Sequence, residues 1–140
     1  MTSLLVARSK AELVRTPLIV GASGLAAASL IYLRDPHDAG SYGYCPFLLI
    51  TGHPCPGCGG LRAGHDLLHG DVAAAVSSNA LVVAAAITLG VLWLGWLVRR
   101  WRGRPGGMVK LSERTAWLLL AVAVVFGIVR NTPWGSWLAP

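Results

Sequence analysis

Three stretches of the chain run apolar without a charge: Pro17 to Leu33, Ala80 to Val98 and Thr115 to Val129. An α-helix rises about 1.5 Å per residue and the hydrocarbon core of a bilayer is ~30 Å thick, so about 20 residues cross it. The middle stretch is long enough by itself. The third is short, but Arg114 and Arg130 flank it, and long arginine stems lie along apolar surface while their heads reach the interface. The competing reading makes this third stretch a buried or re-entrant helix. We expect an all-α integral membrane protein with three transmembrane helices, about 17–33, 80–98 and 115–130, forming one membrane domain over residues 1–140.

The first stretch follows Arg8, Lys10 and Arg15, as the core of a signal peptide would. It exceeds the usual ~7–15 residue core and ends in Leu33-Arg34-Asp35 instead of small residues, so an uncleaved anchor is expected.

The connection 34–79 has its own pattern. Phe47 to Ile50 is too short to cross anything, and dips into the interface or packs on the bundle. Leu61, Leu67 and Leu68 among polar neighbours suit a short interfacial helix. Asp71 is placed to cap a helical stretch through Val76, and Ser78 or Asn79 to cap the second transmembrane helix.

Composition agrees with a bilayer as solvent: 54% hydrophobic, 13% charged and a mean hydropathy of +0.59, far from the quarter-charged soluble norm. The charge is informative by position. The N-terminal tail (Arg8, Lys10, Arg15) and the connection 99–114 (Arg99, Arg100, Arg102, Arg104, Lys110, Arg114) hold nine Lys and Arg. The other side holds three, Arg34, Arg62 and Arg130. The positive-inside rule then puts the N-terminus in the cytoplasm and the connection 34–79 outside a bacterial plasma membrane. Trp93, Trp96, Trp101 and Trp117 gather towards the inner interface, and Trp134 and Trp137 follow the third helix, as aromatic belts do. The net charge of +6 is therefore topological. It argues against nucleic-acid binding, since no stacking or groove-reading motif accompanies it. The lipid bilayer is the first partner, with a membrane protein or a second copy of the chain as further candidates.

All three cysteines, Cys45, Cys55 and Cys58, lie in the outer connection. Cys55-Pro56-Gly57-Cys58-Gly59 has the shape of half a zinc ribbon: two sulfurs aimed at one point, a turn preorganised by Pro56, and glycines that allow close backbone approach. A closed zinc site needs four ligands. Cys45 is a third, and His53, His65 or His69 offer the fourth, with His65 the choice. The same pair has a redox logic, because Cys-x-x-Cys lowers a thiol pKa and disulfides form outside the cytoplasm. A third reading has Cys45 cross-linked to one of them as a staple. Around the motif, His65 and His69 are spaced to share a helical face as a metal pair or proton relay. Arg62, Asp66 and Asp71 suit a surface ion network. Arg130, beside Asn131, is expected to find Asp66, Asp71 or Asp35 as its partner. A transporter is disfavoured, since no charge sits mid-span.

The run Cys45-Pro46-Phe47, Thr51-Gly52, Cys55-Pro56-Gly57-Cys58-Gly59-Gly60-Leu61-Arg62-Ala63, Leu67-Leu68-His69-Gly70-Asp71, Asn79 and Arg130-Asn131 resembles a family of small bacterial membrane proteins, domain of unknown function 2752. The resemblance extends roughly from Arg34 to Asn131. The family usually has a Thr or Ser before the arginine, where this chain has Gly60 and Leu61. It implies two to three spans with the motif between the first of them, and no activity, substrate or cofactor. It singles out Cys45, Cys55, Cys58, Arg62, Asp71, Asn79 and Arg130. The expectation is a non-enzymatic accessory or structural membrane protein whose cysteine loop is a docking site, held by zinc or a disulfide. The alternative is a membrane thiol-disulfide oxidoreductase using Cys55 and Cys58.

Overall fold

The computed structural model describes residues 10–38 and 40–138, and within them the chain is helical, with no strand. Helix α1 spans Lys10–Leu33, α2 Pro46–Thr51, α3 Gly60–Leu68, α4 Val72–Trp101 and α5 Glu113–Val129; a 3-10 turn, Ser136–Leu138, follows. Two of these, α1 and α4, are long and apolar enough to cross a membrane. At 17 residues α5 rises only about 25 Å, short of a ~30 Å core.

Helix α1 begins before its apolar run. Ala11, Glu12 and Leu13 are good helix formers, and Glu12 stands in the first turn, where the helix dipole favours an acid. Arg8, part of the charge asymmetry, lies outside the described residues.

Helix α4 also begins early, because two helices are joined end to end. Asp71 caps the first, its Oδ1 accepting the Ala74 N–H at 2.9 Å. At Asn79 the backbone leaves the helix (φ −167°, ψ 94°), and Asn79 Oδ1 accepts the Val82 N–H at 3.0 Å. Asn79 is thus a second N-cap, set inside a kink. The piece from Ala80 onward is the apolar run read from the sequence.

Helix α3 lies on the first part of α4, around a small core of Ala63, Ala75 and Val83 with Leu67, Val76 and Val82 packed against it. Helix α1 meets α4 where Gly21 sits beneath the Trp93 ring, with no room for a side-chain carbon. Trp93 Nε1 also donates to the Pro17 carbonyl at 2.9 Å. Beyond α4 the basic connection folds back: Trp96 Nε1 donates to the Gly106 carbonyl at 2.9 Å and Arg99 to those of Gly107 and Met108. Ser112 caps α5 through the Thr115 N–H. No residue of α5 is buried; its anchoring contacts are at its C-terminal end, on the cysteine loop. Leu25, Leu30, Val91, Leu118 and Ile128 all face outward, more than half exposed.

Candidate metal centre

The cysteine loop owes its shape to glycine and proline. Gly59 adopts φ +77°, which lets the chain turn from Cys58 straight into α3. Pro46 occupies the first turn of α2, where its missing N–H is no loss, and leaves Cys45 at the N-cap. The Cys58 N–H closes a turn onto the Cys55 carbonyl at 3.1 Å.

These constraints gather the three sulfurs. Cys55 and Cys58 Sγ are 3.2 Å apart, and Cys45 Sγ is 3.6 Å from Cys55 Sγ; all three lie within 4.8 Å of one another. All are free thiols, half-buried. Tetrahedral Zn–S bonds of ~2.3 Å hold sulfurs about 3.8 Å apart, so a modest widening admits an ion. The donor set is that of a soft divalent metal, and the Cys55 N–H already supports Cys58 Sγ at 3.2 Å.

The thiols are not equivalent. The free N–H groups of Leu48 and Phe47, at the start of α2, face Cys45 without completing a cap hydrogen bond. The Leu48 N–H leads in holding the Cys45 thiol below its ordinary value, and Cys58 adds to it. Burial pushes the Cys58 thiol up to about 12, and its neighbours Cys55 and Cys45 reinforce this. A thiol raised by burial is one a cation must deprotonate.

Beneath the sulfurs the loop presents carbonyl oxygens, and side chains from two helices take them. Arg130, 1% exposed, donates through Nη1 to the Cys55 and Cys58 carbonyls at 3.0 and 2.9 Å. Its Nη2 donates to those of Leu138 at 2.8 Å and Ser78 at 3.5 Å. Asn131 Nδ2 donates to the Pro54 carbonyl at 3.0 Å. Asn79 Nδ2 donates to Pro56 and Cys58, both at 2.9 Å. Gly127 completes the seat of α5: a carbon added there would lie 2.8 Å from Pro56 Cγ.

Several expectations change. The partner of Arg130 is none of Asp35, Asp66 and Asp71; four carbonyls take its place, and its head turns inward instead of snorkelling. Arg130 Nε is buried with no hydrogen-bond partner. Among the described residues Arg62 makes no ion pair, and its Nε donates to the Pro36 carbonyl at 3.4 Å. Asp66 accepts from the Ser78 hydroxyl at 3.1 Å, and Asp71 is the α4 cap. His65, expected as fourth ligand, is not with the thiols; it faces α1, its Nδ1 2.8 Å from the Ile31 carbonyl, and shares a separate group with Asp35 and His37. His53 is exposed, and its backbone N–H donates to the Thr51 hydroxyl at 3.2 Å. The carbonyls of Pro54, Cys55, Pro56 and Cys58 were beyond a reading of side-chain types. Their signal was indirect, in the polar residues Asn79, Arg130 and Asn131 at the margins of apolar runs.

Residues 45–93 match a family model described as a protein of unknown function, DUF2752. No curated protein and no solved structure matches the chain.

Proposed function

We propose, for a chain whose residues 45–93 match the DUF2752 family model, a non-enzymatic accessory membrane protein whose Cys45–Cys55–Cys58 cluster holds zinc as a structural knot. The supporting observation is Arg130. A buried guanidinium is strongly disfavoured without compensation, and among the described residues its hydrogen bonds go to carbonyls, with no carboxylate among them. Three thiolates around a divalent ion would carry one net negative charge, on the same residues, Cys55 and Cys58, whose carbonyls that arginine binds. Zinc would be held by Cys45, Cys55 and Cys58, and its chemistry here is charge neutralisation and cross-linking. The chain's own residues do the rest: Arg130, Asn131 and Asn79 fix the loop carbonyls and tie the ends of α4 and α5 to the knot.

In this reading α5 is a third span. Its short length is made up at the Arg114 end, where the side chain is exposed, and by the loop that receives Arg130. The N-terminus is cytoplasmic in a bacterial plasma membrane, and the knot is outside, a platform for a membrane partner or a second copy of the chain. The exposed α2 residues Phe47, Leu49 and Ile50 lie in the lipid boundary beside it.

The test is zinc content and free-thiol count on full-length protein purified in detergent without chelator or reductant. About one zinc per chain, with thiols reactive only after chelation, is the expected result. A metal-free protein that takes up no added zinc, or one with a disulfide among the three cysteines, overturns the proposal.

A further inference from the structure

A second group of ligating side chains lies away from the thiols, where the end of α1, the turn after it and α3 meet. Asp35 Oδ1 is 2.8 Å from His37 Nδ1 and 3.8 Å from His65 Nε2. The other nitrogen of each ring is committed elsewhere. His65 Nδ1 is 2.8 Å from the Ile31 carbonyl, which can only accept, so it carries the proton. Nε2 of His65 therefore turns a lone pair towards Asp35. His37 Nε2 faces Asp66 Oδ1 at 3.5 Å, and Asp66, 8% exposed, is fixed through its other oxygen by the Ser78 hydroxyl. Without a cation, His37 Nδ1 donates to Asp35 Oδ1 at 2.8 Å; with one bound, that proton moves to Nε2, where Asp66 stands to accept it, and Nδ1 turns its lone pair to the ion.

Asp35 Oδ1, His37 Nδ1 and His65 Nε2 lie within 4.8 Å of one another, so one cation can replace the His37 proton and be shared by all three. Tetrahedral bonds of ~2.05 Å hold N and O ligands about 3.3 Å apart, and the two observed separations bracket that value. Each imidazole has the backing that metal-bound histidines have, a carbonyl for one and a carboxylate for the other. His69 is not a donor to this point. Its ring lies between Tyr32, stacked at 4.2 Å, and His65 at 4.1 Å, wedging the His65 ring in place. Asp35 and His37 are nearly half exposed, so water can complete the coordination.

We propose that Asp35, His37 and His65 form a second, exchangeable site for a divalent metal ion of the zinc class, independent of the thiols. It joins the end of α1 to α3.

The test is cobalt(II) titration of full-length protein in detergent, after a single equivalent of zinc per chain has been added to fill the thiol site, which as the softer donor set takes it first. Uptake of one cobalt with visible bands of nitrogen and oxygen ligation, and without thiolate charge-transfer absorption, is expected. His37→Ala, at an exposed position, and Asp35→Asn should abolish it. Asp66→Asn keeps the Ser78 contact and removes the charge behind His37, so it should weaken cobalt binding about 10- to 100-fold. Absence of that spectrum in the wild type, or cobalt uptake unchanged in His37→Ala and Asp35→Asn, overturns the proposal. Since the readout excludes thiolate bands, its failure is distinct from failure at the cysteines.

Discussion

Arg130 donates to the Cys58 carbonyl at 2.9 Å across 72 residues of chain, and through this bond the end of α5 becomes part of the cysteine loop. Lysine keeps the charge but presents one nitrogen where guanidinium spans four carbonyls.

Arg130→Lys is therefore expected to lower stability by about 1–3 kcal/mol, and Arg130→Ala by more, because buried carbonyls lose their donors. Thermal unfolding in detergent measures both. A Lys variant that melts with the wild type would mean that the fork geometry is unimportant.

Asn79 has two jobs that substitution can separate. Asn79→Asp retains an acceptor for the Val82 N–H but offers no donor to the Pro56 and Cys58 carbonyls. Asn79→Ala loses both, and a lost cap alone removes about 0.5–2 kcal/mol. The alanine variant should be the less stable in helix-melting measurements, and both should have looser metal binding than wild type. Equal zinc affinity in Asn79→Asp and wild type would detach this residue from the knot.

The thiols of metal-free protein should react with iodoacetamide in a fixed order. Cys45, held below its ordinary value by the α2 amides, reacts first, and Cys58, raised to about 12, reacts last. Mass mapping of partially alkylated protein reads the order; Cys58 labelled ahead of Cys45 contradicts it.

The same raised thiol makes the metal-free protein sensitive to base. Folded Cys58 favours its neutral form, whereas an unfolded cysteine ionises near 9. Its contribution to stability is complete below about pH 9 and is lost as pH climbs towards 12. Zinc-loaded protein has the opposite dependence, losing metal as acid protonates the thiolates. A pH series of melting temperatures with and without chelator should show the two trends.

Gly21 and Gly127 are seats for neighbouring rings. Gly21→Ala drives a methyl into Trp93 and Gly127→Ala drives one into Pro56. Each is expected to lower stability by about 1–3 kcal/mol, the first at the α1–α4 contact and the second at the α5–loop contact. Melting temperatures equal to wild type would show that the rings simply move aside.

Much of this architecture was legible in the chain. The caps at Asp71 and Asn79 follow from side-chain chemistry just before apolar runs, and the close approach of Cys55 and Cys58 follows from a two-residue spacing with proline and glycine. The kink joining the two parts of α4 into one rod was less so, because Ser77 and Ser78 give no breaking signal. The partner of Arg130 was illegible for a deeper reason. Sequence displays side-chain charge, so a buried cation suggests a carboxylate, whereas the acceptors here are backbone carbonyls, two of them, those of Cys55 and Cys58, brought together by the turn at Cys55–Gly59. His65 was misplaced similarly: nearness to the cysteines along the chain suggested a shared site, but α3 turns it towards the Ile31 carbonyl. The Asp35-Pro36-His37 turn, with the His37 N–H on Asp35 Oδ1 at 2.8 Å, is a local motif that pairs with α3 only through tertiary contact.

Asn79 sets a geometric rule for any change in this protein. One amide fixes both the first turn of the apolar part of α4 and the Pro56 and Cys58 carbonyls, so the distance of the cysteines from the far end of α4 is gauged by that helix. A residue inserted just after Ala84 would rotate everything beyond it by about 100° and lift the cysteine loop by about 1.5 Å relative to Trp93. The helix is in effect a ruler with the sulfur cluster fixed at one end.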